Sequence, residues 1–204
     1  MQPTPTRQSR SARTLERILE ACDRLLADRD LDALTMKDIA AEAGVSVGNL
    51  YNRFADRDAL LAHLVERRQT SLQARLEARL DETPRPEALR DRLLRFTTLL
   101  QEEVRPARPL LVGLLHRTRS EPVGGAAPGT DALVDVGVDW LTRDDADLAG
   151  ESVRDRCRFA IASIAFQLQW DLLYGTATRL FGDSLVERIA HQALHALRPE
   201  ESGS

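Results

Sequence analysis

The stretch Thr35-Met36-Lys37-Asp38-Ile39-Ala40-Ala41-Glu42-Ala43-Gly44-Val45-Ser46-Val47-Gly48-Asn49-Leu50-Tyr51-Asn52-Arg53-Phe54 decides how this chain folds. Thr35 offers an N-cap, and residues 36–43 read as a short helix with Ile39 and Ala40 turned inward. Gly44 supplies the conformational freedom of a tight turn. Ser46 is a second N-cap, and another short helix runs through Asn49, Leu50 and Tyr51 to about Phe54. Two helices that meet across so short a turn need a small residue where they approach, and Ala40 fits. They also need apolar wedges against a preceding helix, and Ile39, Val45, Leu50 and Phe54 fit.

What remains on the outer side of the second helix is Ser46, Val47, Gly48, Asn49, Asn52 and Arg53. A plain helical hairpin gives that face no reason to be so small and polar. Small side chains at the N-terminal end of a helix let it enter the major groove of DNA.

Working outward, an apolar stripe of Leu15, Ile18, Leu19, Cys22, Leu25 and Leu26 predicts a helix from Thr14, interrupted at residues 28–32. On the other side, Asp56 caps a longer helix carrying Leu60, Leu61, Leu64, Val65, Leu72, Leu76 and Leu80, which ends before Pro84 and Pro86. Further helices are expected over about 87–103, 107–118, 131–143, 151–175 and 183–197, with a loop at 119–129 and breaks at Gly182 and Pro199. No alternating strand pattern and no internal repeat appears. The expected fold is all-α, about nine helices: an N-terminal three-helix domain with a helix-turn-helix, plus a larger helical domain for ligand binding and dimerisation. The expected bounds are a flexible basic tail at 1–13, the small domain at 14–60, the larger one at 61–198 and a C-terminal tail at 199–204.

Composition agrees. The chain has 204 residues, 43% hydrophobic and 29% charged, enough for a packed core under a polar surface. Its net charge of −4 does not exclude a nucleic-acid partner, because such a footprint is local. Arg7, Arg10 and Arg13 lie in a tail without acids, and Lys37 is the lone lysine. For the tail, a minor-groove or phosphate role and a merely solvated role stay open. Cys22 and Cys157 fall within apolar helical patterns and read as buried thiols, not a disulfide. No apolar segment follows the N-terminal arginines as a signal peptide requires, and the longest charge-free helical stretch, 159–170, is too short for a bilayer. A cytoplasmic protein is expected.

The pattern Thr35, Ile39-Ala40, Ala43-Gly44-Val45-Ser46, Gly48, Leu50-Tyr51, Phe54, Arg57, Leu60 resembles the TetR (tetracycline-repressor-like) family of regulators over roughly residues 14–65. Two positions depart from that pattern: Asn49 stands where Thr is frequent, and Arg57 where Lys is usual. The resemblance implies phosphate contacts by Thr35 and Tyr51 and a base-edge or phosphate contact by Lys37. It implies base contacts by Val47, Gly48 and Asn49, with Ser46 beside them, and backbone contacts by Asn52, Arg53 and Arg57. It also implies a homodimer on a palindromic operator, released by a small, largely apolar effector held in the larger domain.

For that pocket the candidates are Phe96, His116, Trp140, Gln167, Trp170 and Tyr174, aromatic rings interleaved with hydrogen-bonding groups. Each also reads as ordinary core. The helix over 151–175 is apolar on more than one side, so one face needs cover from outside its own domain. Ile164, Leu168, Leu185, Ile189, Ala193 and Leu197 are the expected dimer surface, two helices from each chain forming a four-helix bundle.

Nothing points to an enzyme, and no cofactor is expected: no nucleophile–base pair has usable spacing, and Gly124-Gly125 lacks the lysine of a phosphate loop. His191 and His195 stand four residues apart, a spacing that can bind metal. Gln192 replaces the glutamate of a zinc protease, however, and no third ligand is visible, so they read as dimer-surface histidines and no metal is expected. The alternative function is a helical module of the same fold that binds a small molecule or a protein, with DNA binding secondary or lost. Whether a regulator represses or activates depends on operator position.

Overall fold

Helix starts and stops written into the sequence divide the described residues almost entirely into helices. The computed structural model describes residues 7–29, 31–108, 130–148 and 150–197, and among these no strand occurs. The helices are α1 (Arg7–Asp28), α2 (Met36–Ala43), α3 (Val47–Tyr51), α4 (Arg57–Glu82), α5 (Leu89–Val104), α6 (Thr130–Thr142), α7 (Glu151–Tyr174), α8 (Thr176–Phe181) and α9 (Leu185–Ala196). Single 3-10 turns stand at Leu31–Ala33, Arg105–Ala107, Ala146–Leu148 and Gly182–Ser184. The helix expected over 107–118 falls largely outside the described residues.

Two differences from the sequence reading have simple causes. α1 begins at Arg7 within the expected tail, because residues 7–13 contain neither Gly nor Pro and nothing stops the helix from running on. The segment after Gly175 forms α8, a short helix set off by left-handed Gly175 (φ 60°) and by Gly182 (φ 53°), where connecting chain was expected.

The chain divides into two compact units; among the described residues the first runs to Arg68 and the second starts at Gln69, both within α4. In the first, α1 buries Ile18, Leu19, Ala21, Cys22 and Leu26 against Leu31, Leu34, Met36, Ile39, Leu50, Phe54, Leu60, Leu61 and Leu64. Truncating one such fully buried Leu or Ile to Ala costs about 2–5 kcal/mol. Ion pairs fasten α1 to the first half of α4: Arg68 to Asp23, and Arg67 to Glu16 and Asp23. Cys22 lies in this core, where burial pushes its thiol up to about 12, so it acts as a small hydrophobe and not as a nucleophile.

In the second unit, Leu93, Phe96 and Leu100 of α5 meet Val134, Val138 and Leu141 of α6, Cys157, Ile161, Ile164 and Leu168 of α7, and Leu185, Ile189 and Ala193 of α9. α6 comes close to its neighbours at Gly137, where an added Cβ would lie 2.7 Å from both Ile161 and the Phe96 ring. Buried Arg92 holds the entry to α5: it donates to the carbonyls of Pro86 (2.8 Å) and Glu87 (2.7 Å) and pairs with Asp145 (2.5 Å). That pairing holds the Asp145 carboxyl below its ordinary range. Cys157 is also buried and free. No described helix is long and apolar enough to cross a membrane.

Candidate nucleic-acid interface

The local chemistry of α2 and α3 fixes how the outer face of α3 is presented. Thr35 has extended backbone (φ −103°, ψ 155°), and its hydroxyl accepts from the Asp38 N–H at 3.2 Å. The Thr35 N–H in turn donates to the Asp38 carboxylate at 3.2 Å, completing a reciprocal box that satisfies two otherwise orphaned donors. Hydrogen bonds from the Thr35 hydroxyl and N–H hold the Asp38 carboxyl below the usual carboxylate range.

At the other end of α2, Gly44 is left-handed (φ 62°, ψ 40°). Val45 N–H donates to Ala40 O at 2.9 Å and Gly44 N–H to Ala41 O at 3.1 Å, the paired closure of a Schellman motif. Arg17 of α1 reaches over this turn and donates to the carbonyls of Ala43 (2.6 Å) and Gly44 (3.0 Å). Ser46 then caps α3, its hydroxyl accepting from Asn49 N–H at 3.1 Å. The turn is closed at both ends and latched to the first helix.

The resulting α3 has two unlike sides. Leu50 is fully buried, while Val47 is 39% and Tyr51 51% exposed. Ser46, Gly48, Asn49 and Asn52 are exposed beside them, as are Thr35 and Lys37 on α2 and its cap. A Cβ on Gly48 would meet nothing within 4 Å, so glycine is not needed there for internal packing. Arg53 is half-buried and donates to Ser11 of α1 at 3.1 Å.

Arg57 is half-buried and turns its guanidinium to the Leu31 carbonyl, tying the start of α4 to the 3-10 turn after α1. The sequence reading missed Arg17. Its signal was an arginine one helical turn from the buried stripe of α1, which composition alone does not distinguish from a solvated one.

The expected pocket residues do not converge. Phe96 and Trp140 are core side chains, and His116 lies outside the described residues. Gln167 and Trp170 instead line an open groove of about 440 Å³ with Phe166, Phe181, Arg188 and Gln192. Tyr174 continues the same outer side of α7, its ring centroid 4.3 Å from that of Trp170.

Of the expected dimer surface, Ile164, Leu168, Leu185, Ile189, Ala193 and Leu197 are at most 8% exposed in the single chain, packed among α5, α6, α7 and α9, with Leu185 and Ile189 also lining the groove. The outward apolar side of α7 is aromatic: Phe159 is 66% exposed, Phe166 63%, Trp170 49% and Tyr174 40%.

Residues 18–64 match the family described as bacterial regulatory proteins, tetR family. An uncharacterised HTH-type transcriptional regulator of Mycobacterium tuberculosis is 32% identical over 119 residues, which are 58% of this chain and 56% of that relative. The chain thus matches about half the length of that protein. Among solved structures, the TetR-family repressor AlkX from Dietzia sp., implicated in biodegradation of n-alkanes, superposes with a TM-score of 0.61 at 20% identity, covering 89% of this chain and 94% of that one. The TetR-family repressor FadR of Thermus thermophilus, solved with lauroyl-CoA, gives 0.59 at 18% identity, covering 93% and 99%. These two likenesses concern the fold. The capped helix-turn-helix thus lies inside the segment that is similar to the tetR family of bacterial regulatory proteins.

Proposed function

We propose that the chain is a homodimeric repressor that grips a two-fold operator through α3 and leaves it when a small, largely apolar ligand occupies the larger domain. The observation that carries this reading is the two-sided α3: a fully buried Leu50 behind, and in front exposed Val47, Gly48, Asn49, Tyr51 and Asn52 without a bulky charged group. Such a face admits a helix to the major groove, with Val47 toward a thymine methyl and Asn49 toward a base edge or phosphate. Lys37, Thr35 and Tyr51 flank it as phosphate contacts. A chain with this role works in the cytoplasm, beside the chromosome.

The exposed rings of α7 support the dimer. Four aromatic side chains along one helix side are a larger apolar surface than a monomer leaves in water without a use. A second copy, related by a two-fold axis, covers them with its own and presents two α3 helices to successive major-groove faces about 34–36 Å apart or a multiple of that. A ligand that favours another separation weakens DNA binding by its differential affinity for the two states. The lauroyl-CoA bound to the Thermus thermophilus neighbour supports an apolar chain as the class of ligand.

Sedimentation equilibrium of the full chain with and without Trp170→Glu tests the assembly. The expected result is a dimer that becomes monomeric in the variant with helicity retained, since Trp170 is half exposed and carries little of the monomer's packing. A monomeric wild type at micromolar concentration, or a variant that stays dimeric, refutes this interface.

A further inference from the structure

We propose that His191 and His195 on α9 form a two-nitrogen binding site for a late first-row divalent cation such as Ni2+, Zn2+ or Cu2+. Residues four apart on a helix lie one above the other on the same face. Both side chains are exposed, while Leu185, Ile189, Ala190 and Ala193 turn the opposite side of α9 into the core. The two Nε2 atoms are 3.1 Å apart, with the rings edge-on to each other and their centroids 4.6 Å apart.

That separation is the bite of a chelate. A cation bonded to both nitrogens at about 2.0–2.1 Å would subtend roughly 100° between them when they stand 3.1 Å apart, between the octahedral and tetrahedral angles. Without a cation the contact is a hydrogen bond, one Nε2–H donating to the other Nε2. When a cation binds, it displaces that hydrogen, which moves to Nδ1 of the same ring, so both Nε2 lone pairs are free for the metal. Imidazole nitrogens suit nickel, copper and zinc and are poor ligands for magnesium or calcium.

The surroundings leave room for the charge. Arg188, also on the exposed side of α9, is engaged elsewhere: it donates to Ser184 at 3.2 Å, and its guanidinium lies 4.9 Å over the Phe181 ring. Glu187 stands one turn before His191 on the same side and adds negative charge there. Among the described residues no third side chain completes the cluster, so water takes the remaining positions and the site is exchangeable. It differs in this from a structural zinc centre, and the fold does not depend on its being filled.

The test is calorimetric titration of the chelator-stripped full chain with NiCl2 and, separately, ZnCl2. The expected result is one equivalent per chain, retained in the double variant His63→Ala/His116→Ala and weakened at least tenfold in both His191→Ala and His195→Ala. The pair is exposed, so these variants fold, and circular dichroism verifies it. No saturable uptake by the wild type, or uptake that survives loss of either paired histidine, overturns the site. Loss of uptake in the double variant with no change on removing His191 or His195 overturns it equally, since other histidines would then be the ligands.

Discussion

Two glycines four residues apart in the helix-turn-helix respond oppositely to the same added methyl group. Gly44 is left-handed at φ 62°, a conformation that costs a residue with a Cβ about 1–2 kcal/mol. Its new Cβ would also stand 2.7 Å from Arg17 Nη2, displacing the donor that closes the Ala43 and Gly44 carbonyls. Losing those bonds adds about 0.5–1.5 kcal/mol, and the stiffer unfolded chain returns part of it, leaving Gly44→Ala destabilised by roughly 1–3 kcal/mol. Gly48 sits in the helical run of α3, where a Cβ meets nothing within 4 Å. There the methyl relieves the entropic penalty of helical glycine and stabilises by about 0.5–1 kcal/mol. The two variants should thus differ by about 1.5–4 kcal/mol. With a urea slope of about 2 kcal/mol per molar, their unfolding midpoints should lie about 1 M or more apart at equal protein concentration. Operator binding separates them differently, because Gly48→Ala puts its methyl on the face offered to the groove and should weaken binding about tenfold or more in a stabler protein. Midpoints that move in the same direction would refute the assignment of these backbone roles. Unchanged operator affinity in Gly48→Ala would refute the orientation of α3.

Tyr51→Ala should weaken operator binding by at least about tenfold with little change in unfolding, because the ring is half exposed and gives little to the core; a gel-shift series alongside a melting curve checks both. Lys37→Ala should lower the slope of log affinity against log salt by about one if it touches only phosphate, and should relax the preferred sequence if it reads a base. The Thr35–Asp38 box carries a pH signature. The folded carboxyl titrates below its unfolded value, so its stabilisation is present above about pH 4 and disappears as pH falls through the folded value. Melting curves of wild type and Asp38→Ala should therefore differ most at neutral pH and draw together as the pH is lowered below about 4, and a gap that does not narrow on acidification would contradict the box as the source.

The helix-turn-helix was legible because its signals are local. Thr35, Gly44 and Ser46 each announce a cap or a turn by their own chemistry, and the structure puts a bonded cap or a left-handed turn at each. The second unit was legible as helices but not as surfaces. Cys157, Ile161, Ile164 and Leu168 form one stripe of α7, and Phe159, Phe166, Trp170 and Tyr174 another. Periodicity shows that both are apolar but does not say which is covered within the chain and which is left outside. The compact aliphatic stripe interdigitates with α5 and α6, and the bulky rings are left outward. Arg57 shows a related limit: an arginine suited to a phosphate is equally suited to a backbone carbonyl distant in sequence, and Leu31 O accepts from it here.

The most direct test of the central claim is selection of bound DNA from a genomic fragment pool by the purified chain at stated salt, with Tyr51→Ala in parallel. An enriched site of two inverted half-sites, centred one helical turn or a multiple apart, is expected, which the variant recovers poorly. Failure of folded wild-type protein to enrich any sequence, or enrichment identical in the variant, would contradict the claim.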